Sequence, residues 1–226
     1  MKIGILKTGH PSGPLQSGFG DYGIMFTKLL DGQDFDFQAY SVEDGELPAS
    51  VHDADGWLIT GSRHGAYEDH PWIKPLEEFL RKAYSESVPI VGICFGHQIL
   101  AQALGGKVEK FKGGWSVGAT EYDFEGRKLT LNAWHQDQVV KRPEGATVIG
   151  SSAFCENAFL AYGDKALTIQ PHPEYQSDFI DGLIEYRGKG VVPDTMLKAA
   201  RERLALPNSN AWMAARIAEF FKQPRG

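Results

Sequence analysis

Short apolar runs alternate with longer amphipathic stretches over the first hundred residues. The pattern predicts strands at 2–6, 36–42, 56–59 and 88–93, and helices at 22–30, 71–85 and 96–104. Gly56-Trp57-Leu58-Ile59 and Val88-Pro89-Ile90-Val91-Gly92-Ile93 have no polar face, which suits strands covered on both sides. The 96–104 helix ends at Gly105-Gly106, residues fitted to a helix C-terminus. Residues 7–17 read as a long, polar, glycine-rich loop. Strands and helices alternating in this way argue for a parallel sheet with helices on both faces.

Beyond Gly106 the pattern changes. Strand-like segments at 107–111, 119–124, 128–131, 138–140 and 147–150 follow one another without helices between them, predicting an antiparallel or mixed extension of the sheet. Residues 159–162 and 166–170 read as a hairpin around Gly163-Asp164. Helices return after Pro173. The tail, 194–221, reads as two helices broken near Pro207, with Asn208 or Ser209 as N-cap of the second. The expected organisation is one α/β domain over 1–190, with a helical extension, 191–226, packed on it.

Composition narrows the function. With 23 basic and 29 acidic residues the net charge is −6, which disfavours nucleic acid as a partner. The two cysteines make no disulfide framework and fit a reducing, cytoplasmic setting. The N-terminal apolar run meets Lys7 too early for a signal peptide. No apolar stretch approaches the roughly 20 residues of a membrane span.

The candidate chemistry centres on Cys94. In Gly92-Ile93-Cys94-Phe95-Gly96 the cysteine stands between a predicted strand and a predicted helix, the G-x-C-x-G form of the nucleophile elbow. The sharp turn needs small neighbours. It lifts the apical side chain to the start of a helix, where free N–H groups and the helix dipole favour a thiolate. Cys155, in Ser151-Ser152-Ala153-Phe154-Cys155, has no such context and reads as a core or edge residue.

A thiol nucleophile needs a base, and the base an orienting group. In Gln170-Pro171-His172-Pro173-Glu174 the prolines push the preceding residues toward extended backbone, and residues two apart in extended backbone share a side. His172 and Glu174 then complete a Cys-His-Glu set. The N–H of Phe95 offers one oxyanion donor. Thr60-Gly61-Ser62, where a buried strand ends at a glycine, offers a second.

Gly92-Ile93-Cys94-Phe95-Gly96-His97-Gln98 together with Pro171-His172-Pro173-Glu174 resembles the class I, or triad, glutamine amidotransferase family, from the N-terminus to about residue 180. Within it, the likeness is greatest to stand-alone domains similar to the amidotransferase part of GMP synthase. The resemblance implies a flavodoxin-like three-layer α/β sandwich. It also implies attack of Cys94 on the side-chain amide of L-glutamine, a γ-glutamyl thioester, and release of ammonia and glutamate without a cofactor or metal. His172 acts as base and then acid, Glu174 orients it, and Gly61 and Phe95 form the oxyanion hole. Gln98 matches a substrate-contacting glutamine, and Trp115, Ser116 and Val117 fall where relatives hold the amino-acid end, largely by backbone groups. His135 lies in a matching H-x-D-x-V segment and is expected to support the site from behind. The family pattern of two glycines and a proline at the oxyanion strand is replaced here by Thr60-Gly61-Ser62-Arg63. The residues after 180 leave no room for a synthetase domain, and no Walker-type loop is present, so an ATP-dependent synthetase would be a separate partner.

Three alternatives compete. Gly18-Phe19-Gly20-Asp21-Tyr22-Gly23 matches a dinucleotide fingerprint with Glu43 downstream, but its first glycine stands too far from the first strand. A γ-glutamyl peptidase or hydrolase would use the same triad with an amine or peptide leaving group, and the 9–20 loop would shape its pocket. A non-catalytic module fits poorly with a complete triad. His10, His52, His64 and His70 lack metal-ligand spacing and are expected at the surface or in loops.

Overall fold

A computed structural model describes residues 1–225. Nine strands form one sheet: β1 (Lys2–Lys7), β2 (Asp36–Ser41), β3 (Gly56–Ile59), β4 (Ile90–Ile93), β6 (Ser116–Phe124), β7 (Arg127–His135), β9 (Thr147–Ser151), β10 (Phe159–Tyr162) and β11 (Ala166–Ile169). Their order is β2-β1-β3-β4-β11-β10-β9-β6-β7. The run from β2 to β11 is parallel, and β10, β9, β6 and β7 extend it antiparallel.

Alternate residues of the central strands feed two cores. Ile3, Ile5, Leu58, Val91, Ile93, Leu167 and Ile169 face one side, where Phe26 of α2 (Tyr22–Leu29) and Met213, Ile217 and Phe221 of α7 (Asn210–Lys222) cover them. Leu6, Trp57, Ile59 and Ile90 face the other, under Leu76 and Leu80 of α3 (Ile73–Ser85) and Ile99 and Leu100 of α4 (Phe95–Ala103). Burial on both faces explains why these strands carry no polar alternation. The result is the expected three-layer α/β sandwich with a mixed sheet.

Two expectations change. Residues 7–17 are not all loop, because α1 spans Gly13–Phe19. Leu15 and Phe19, one turn apart, dock on α5 (Ser177–Leu183), with Phe19 edge-on to Phe179 at 5.2 Å. That packing outweighs the poor helix propensity of two glycines and a proline. The 107–111 and 138–140 segments also leave the main sheet. β5 (Lys107–Lys110) and β8 (Asp137–Lys141) pair as a separate two-stranded ribbon, whose Val108 and Val139 pack into the α3–α4 core. The tail forms α6 (Asp194–Glu202) and α7, broken around Pro207. Ser209 precedes α7, but its hydroxyl accepts from the Thr130 N–H and not from the helix.

Candidate active site

Cys94 sits between β4 and α4 with φ +52° and ψ −100°, backbone that an L-residue adopts only under constraint. The constraint is visible in three bonds. The Cys94 N–H donates to Ile169 O at 2.8 Å, Gly96 N–H to Thr60 O at 3.2 Å, and Gln98 N–H to Cys94 O at 3.0 Å. Both flanking glycines are required by packing. A Cβ on Gly92 would lie 2.4 Å from Gly96 O, and one on Gly96 would lie 2.5 Å from Ile59 O. Phe95 opens α4, so its N–H has no acceptor within the helix.

The strand that ends at Thr60 is tied to β1. The Thr8 N–H donates to Thr60 Oγ1 at 3.1 Å, and Thr8 Oγ1 donates to Thr60 O at 3.0 Å. This holds Gly61 against His172 and Cys94: a Cβ there would lie 3.0 Å from His172 Cε1 and 3.7 Å from Cys94 Cβ.

His172 follows β11 and donates its backbone N–H to Asn132 O at 2.8 Å, so β7 fixes its position. Its Nδ1–H donates to Glu174 Oε1 at 2.7 Å, with both side chains buried. Burial alone pushes the imidazole toward its neutral form. The negative charge of Glu174, with Cys94 beside it, outweighs burial and holds the His172 pKa well above the ordinary value. The arrangement therefore favours the imidazolium form of His172. Tyr175 stacks on His172, with ring centroids 3.9 Å apart and planes 3° from parallel.

A solvent-open cavity of about 280 Å³ reaches Cys94. Gln98, Trp115 and His135 line it, whereas Ser116 and Val117, which open β6, do not. Gln98 Nε2 donates to Asp137 O and Gln170 Oε1, which anchors its amide. His135 is buried, and that burial, helped by the charge of His172, pushes its pKa down to about 4. Its Nδ1–H donates to Asp137 O at 3.2 Å, leaving Nε2 a buried acceptor without a hydrogen-bond partner among the described residues.

Sequence reasoning missed the ionic lining. Lys110, Asp137, Glu68 and Arg187 also border the cavity. Arg187 comes from the wide helical turn 184–188 after α5, past the region the motifs cover. The α5–α6 region brings it back to the site, a relation that no local pattern encodes. Tyr175 adjoined a recognised motif, but its stacking on His172 depends on the turn after Pro173. His64 and His70, 4.1 Å apart between ring centroids, meet through a loop that linear spacing did not suggest. Cys155 is buried, and burial pushes its thiol up to about 12.

The fold and the Cys–His–Glu array define a cysteine amidohydrolase of α/β type. The sequence model of the class-I glutamine amidotransferase family matches residues 34–182, and the chain belongs to that family. Gamma-glutamyl peptidase 4 of Arabidopsis thaliana is 31% identical over 74% of this chain and 73% of its own. A glutamine-hydrolysing GMP synthase subunit from Archaeoglobus fulgidus is 34% identical over 75% of this chain and 91% of its own. A crystal structure of a glutamine amido transferase from Methylobacillus flagellatus superposes with a TM-score of 0.76 at 23% identity, covering 100% of this chain and 96% of that one.

Proposed function

We propose that the protein hydrolyses the γ-amide of L-glutamine and supplies the ammonia to a separate ATP-dependent synthetase. The observation that carries the reading is the Cys94–His172–Glu174 array opening into a cavity that bears fixed charges of both signs. A γ-glutamyl compound presents an α-ammonium and an α-carboxylate, and Asp137 on one side and Arg187 with Lys110 on the other offer each a counter-ion.

In this mechanism the Cys94 thiolate adds to the γ-carbonyl carbon. The resulting oxyanion is held by the Phe95 and Gly61 N–H groups. The His172 imidazolium gives its proton to the departing nitrogen, so ammonia leaves and a γ-glutamyl thioester remains. Water, deprotonated by the now neutral His172, attacks the thioester, and glutamate leaves with the Cys94 thiolate restored. Glu174 keeps the proton on Nδ1 throughout, so Nε2 faces the reaction. Gln98 and the backbone of Trp115, Ser116 and Val117 hold the amino-acid end, and His135 supports the wall. The Archaeoglobus relative is named as one subunit of a synthase, which supports delivery to a partner chain.

One observation favours a second reading, a γ-glutamyl peptidase. The cavity runs on from Cys94 to Lys110 and Gln136, space suited to a leaving group larger than ammonia, and the Arabidopsis relative carries that name. Comparing kcat/KM for L-glutamine with that for γ-glutamyl dipeptides separates the two. Preference for glutamine supports the amidotransferase, and dipeptide turnover tens-fold faster replaces it with the peptidase.

A further inference from the structure

Past Gly61 the chain turns through residues 62–70 along the cavity wall, and three side chains on this segment converge. His64 Nδ1 lies 3.2 Å from Glu68 Oε2, and His70 Nε2 lies 2.7 Å from the same oxygen. One donor atom from each of the three falls within 4.8 Å of the others. Tetrahedral ligands at the ~2.0–2.1 Å bond lengths of zinc stand roughly 3.3 Å apart, so the His64–Glu68 pair already has that spacing and the His70–Glu68 pair must open by about 0.6 Å. We propose that His64, Glu68 and His70 form a binding site for a divalent transition cation of the zinc class, separate from the catalytic triad and independent of which γ-glutamyl substrate is used.

The surroundings support ligation. The other ring nitrogen of His64, Nε2, lies 3.1 Å from Glu43 Oε1, and both side chains are largely buried. A carboxylate that accepts the far N–H of a ligating imidazole fixes its tautomer and strengthens it as a donor. The second Glu43 oxygen, Oε2, is buried with no hydrogen-bond partner among the described residues. Arg63 faces the same group: its Nη2 donates to Glu43 Oε1 at 2.9 Å, and its Nε–H points at His64 Nε2 at 3.2 Å. A cation on Nδ1 requires the proton on Nε2, which leaves Arg63 bound to Glu43 alone. With Arg63 and Glu43 offsetting each other, the Glu68 carboxylate remains to attract the ion. Two imidazoles and one carboxylate suit zinc and exclude calcium and magnesium, which prefer all-oxygen sets.

The site bears on the elbow. His70 lies parallel to Trp72, 9° between planes with centroids 6.0 Å apart, and Trp72 packs on Phe95 at 5.4 Å. His64 and Glu68 border the cavity that reaches Cys94. An ion here pins the segment between the Gly61 strand end and α3.

Zinc also binds thiolates, so the test uses the full chain carrying Cys94→Ala, stripped with chelator and titrated with zinc against a chromophoric competitor. The expected result is one equivalent bound, weakened at least tenfold in His64→Gln and in His70→Gln. His10→Gln and His52→Gln, which remove histidines paired with Asp44 and Glu86 elsewhere, leave it unchanged. Cobalt in place of zinc gives the intense visible absorption of a tetrahedral site, lost in the same two variants. Circular dichroism checks that each variant folds, and Glu68→Gln serves if either histidine variant does not. Absence of zinc binding to the Cys94→Ala chain, or binding that survives loss of both histidines, overturns the proposal and leaves a hydrogen-bonded string of surface side chains.

Discussion

Replacing Glu174 by Gln isolates the contribution of one buried charge. The substitution keeps the volume and an oxygen that accepts from His172 Nδ1–H, but removes the negative charge 2.7 Å from that nitrogen. Taking the charge centres as about 4 Å apart and an effective dielectric of about 20, the lost attraction for the imidazolium is ~4 kcal/mol. The retained neutral hydrogen bond returns ~1 kcal/mol of it, leaving roughly 3 kcal/mol. At 1.36 kcal/mol per decade, kcat/KM should fall about 150-fold. The pH profile should also move. With Glu174 gone, His172 loses the partner that raises its proton affinity, so the alkaline limb that reports the imidazolium shifts to lower pH. The assay is ammonia release from L-glutamine across pH, with circular dichroism to confirm the fold. A fall of less than threefold with an unchanged profile would refute the role given to Glu174.

Other outcomes follow from the same geometry. Iodoacetamide at mildly alkaline pH should alkylate Cys94 and spare Cys155, whose thiol is buried and pushed up to about 12; peptide mapping reads the ratio, and equal labelling contradicts it. Gly96→Ala should destabilise by about 1–3 kcal/mol or more in urea unfolding, because its Cβ would meet Ile59 O at 2.5 Å, whereas Gly13→Ala, with open space around it, should not destabilise. Acid should unfold the protein early. Burial depresses His97 to about 3 and His135 to about 4, so the unfolded chain takes up these protons first as pH falls below about 6.5. Stability should drop between about pH 6.5 and 4 by roughly 3 kcal/mol for His135 and more for His97. A urea midpoint that is flat over that window would count against both.

Much of the fold was readable because the central strands are buried on both faces, so Trp57-Leu58-Ile59 and Ile90-Val91 stand out as unbroken apolar runs. The elbow was equally clear, since Gly92 and Gly96 are dictated by contacts within one turn of Cys94. What escaped depended on distant packing. α1 forms only because Leu15 and Phe19 find α5, and β5 and β8 pair with each other at a distance that alternation does not reveal. The same holds at the site. His172 and Glu174 are two residues apart and legible, whereas Arg187 reaches the cavity through the return of the chain past α5, and His64 meets His70 through a curled loop.

In the proposed reaction the Cys94 sulfur attacks a γ-glutamyl carbonyl. The most direct measurement treats the purified protein with a glutamine analogue that carries an electrophilic diazoketone in place of the amide, followed by intact-mass and peptide analysis. One adduct per chain is expected, on Cys94, formed in step with loss of activity and slowed by L-glutamine. Inactivation with the adduct on another residue, or full activity in Cys94→Ala, would contradict it.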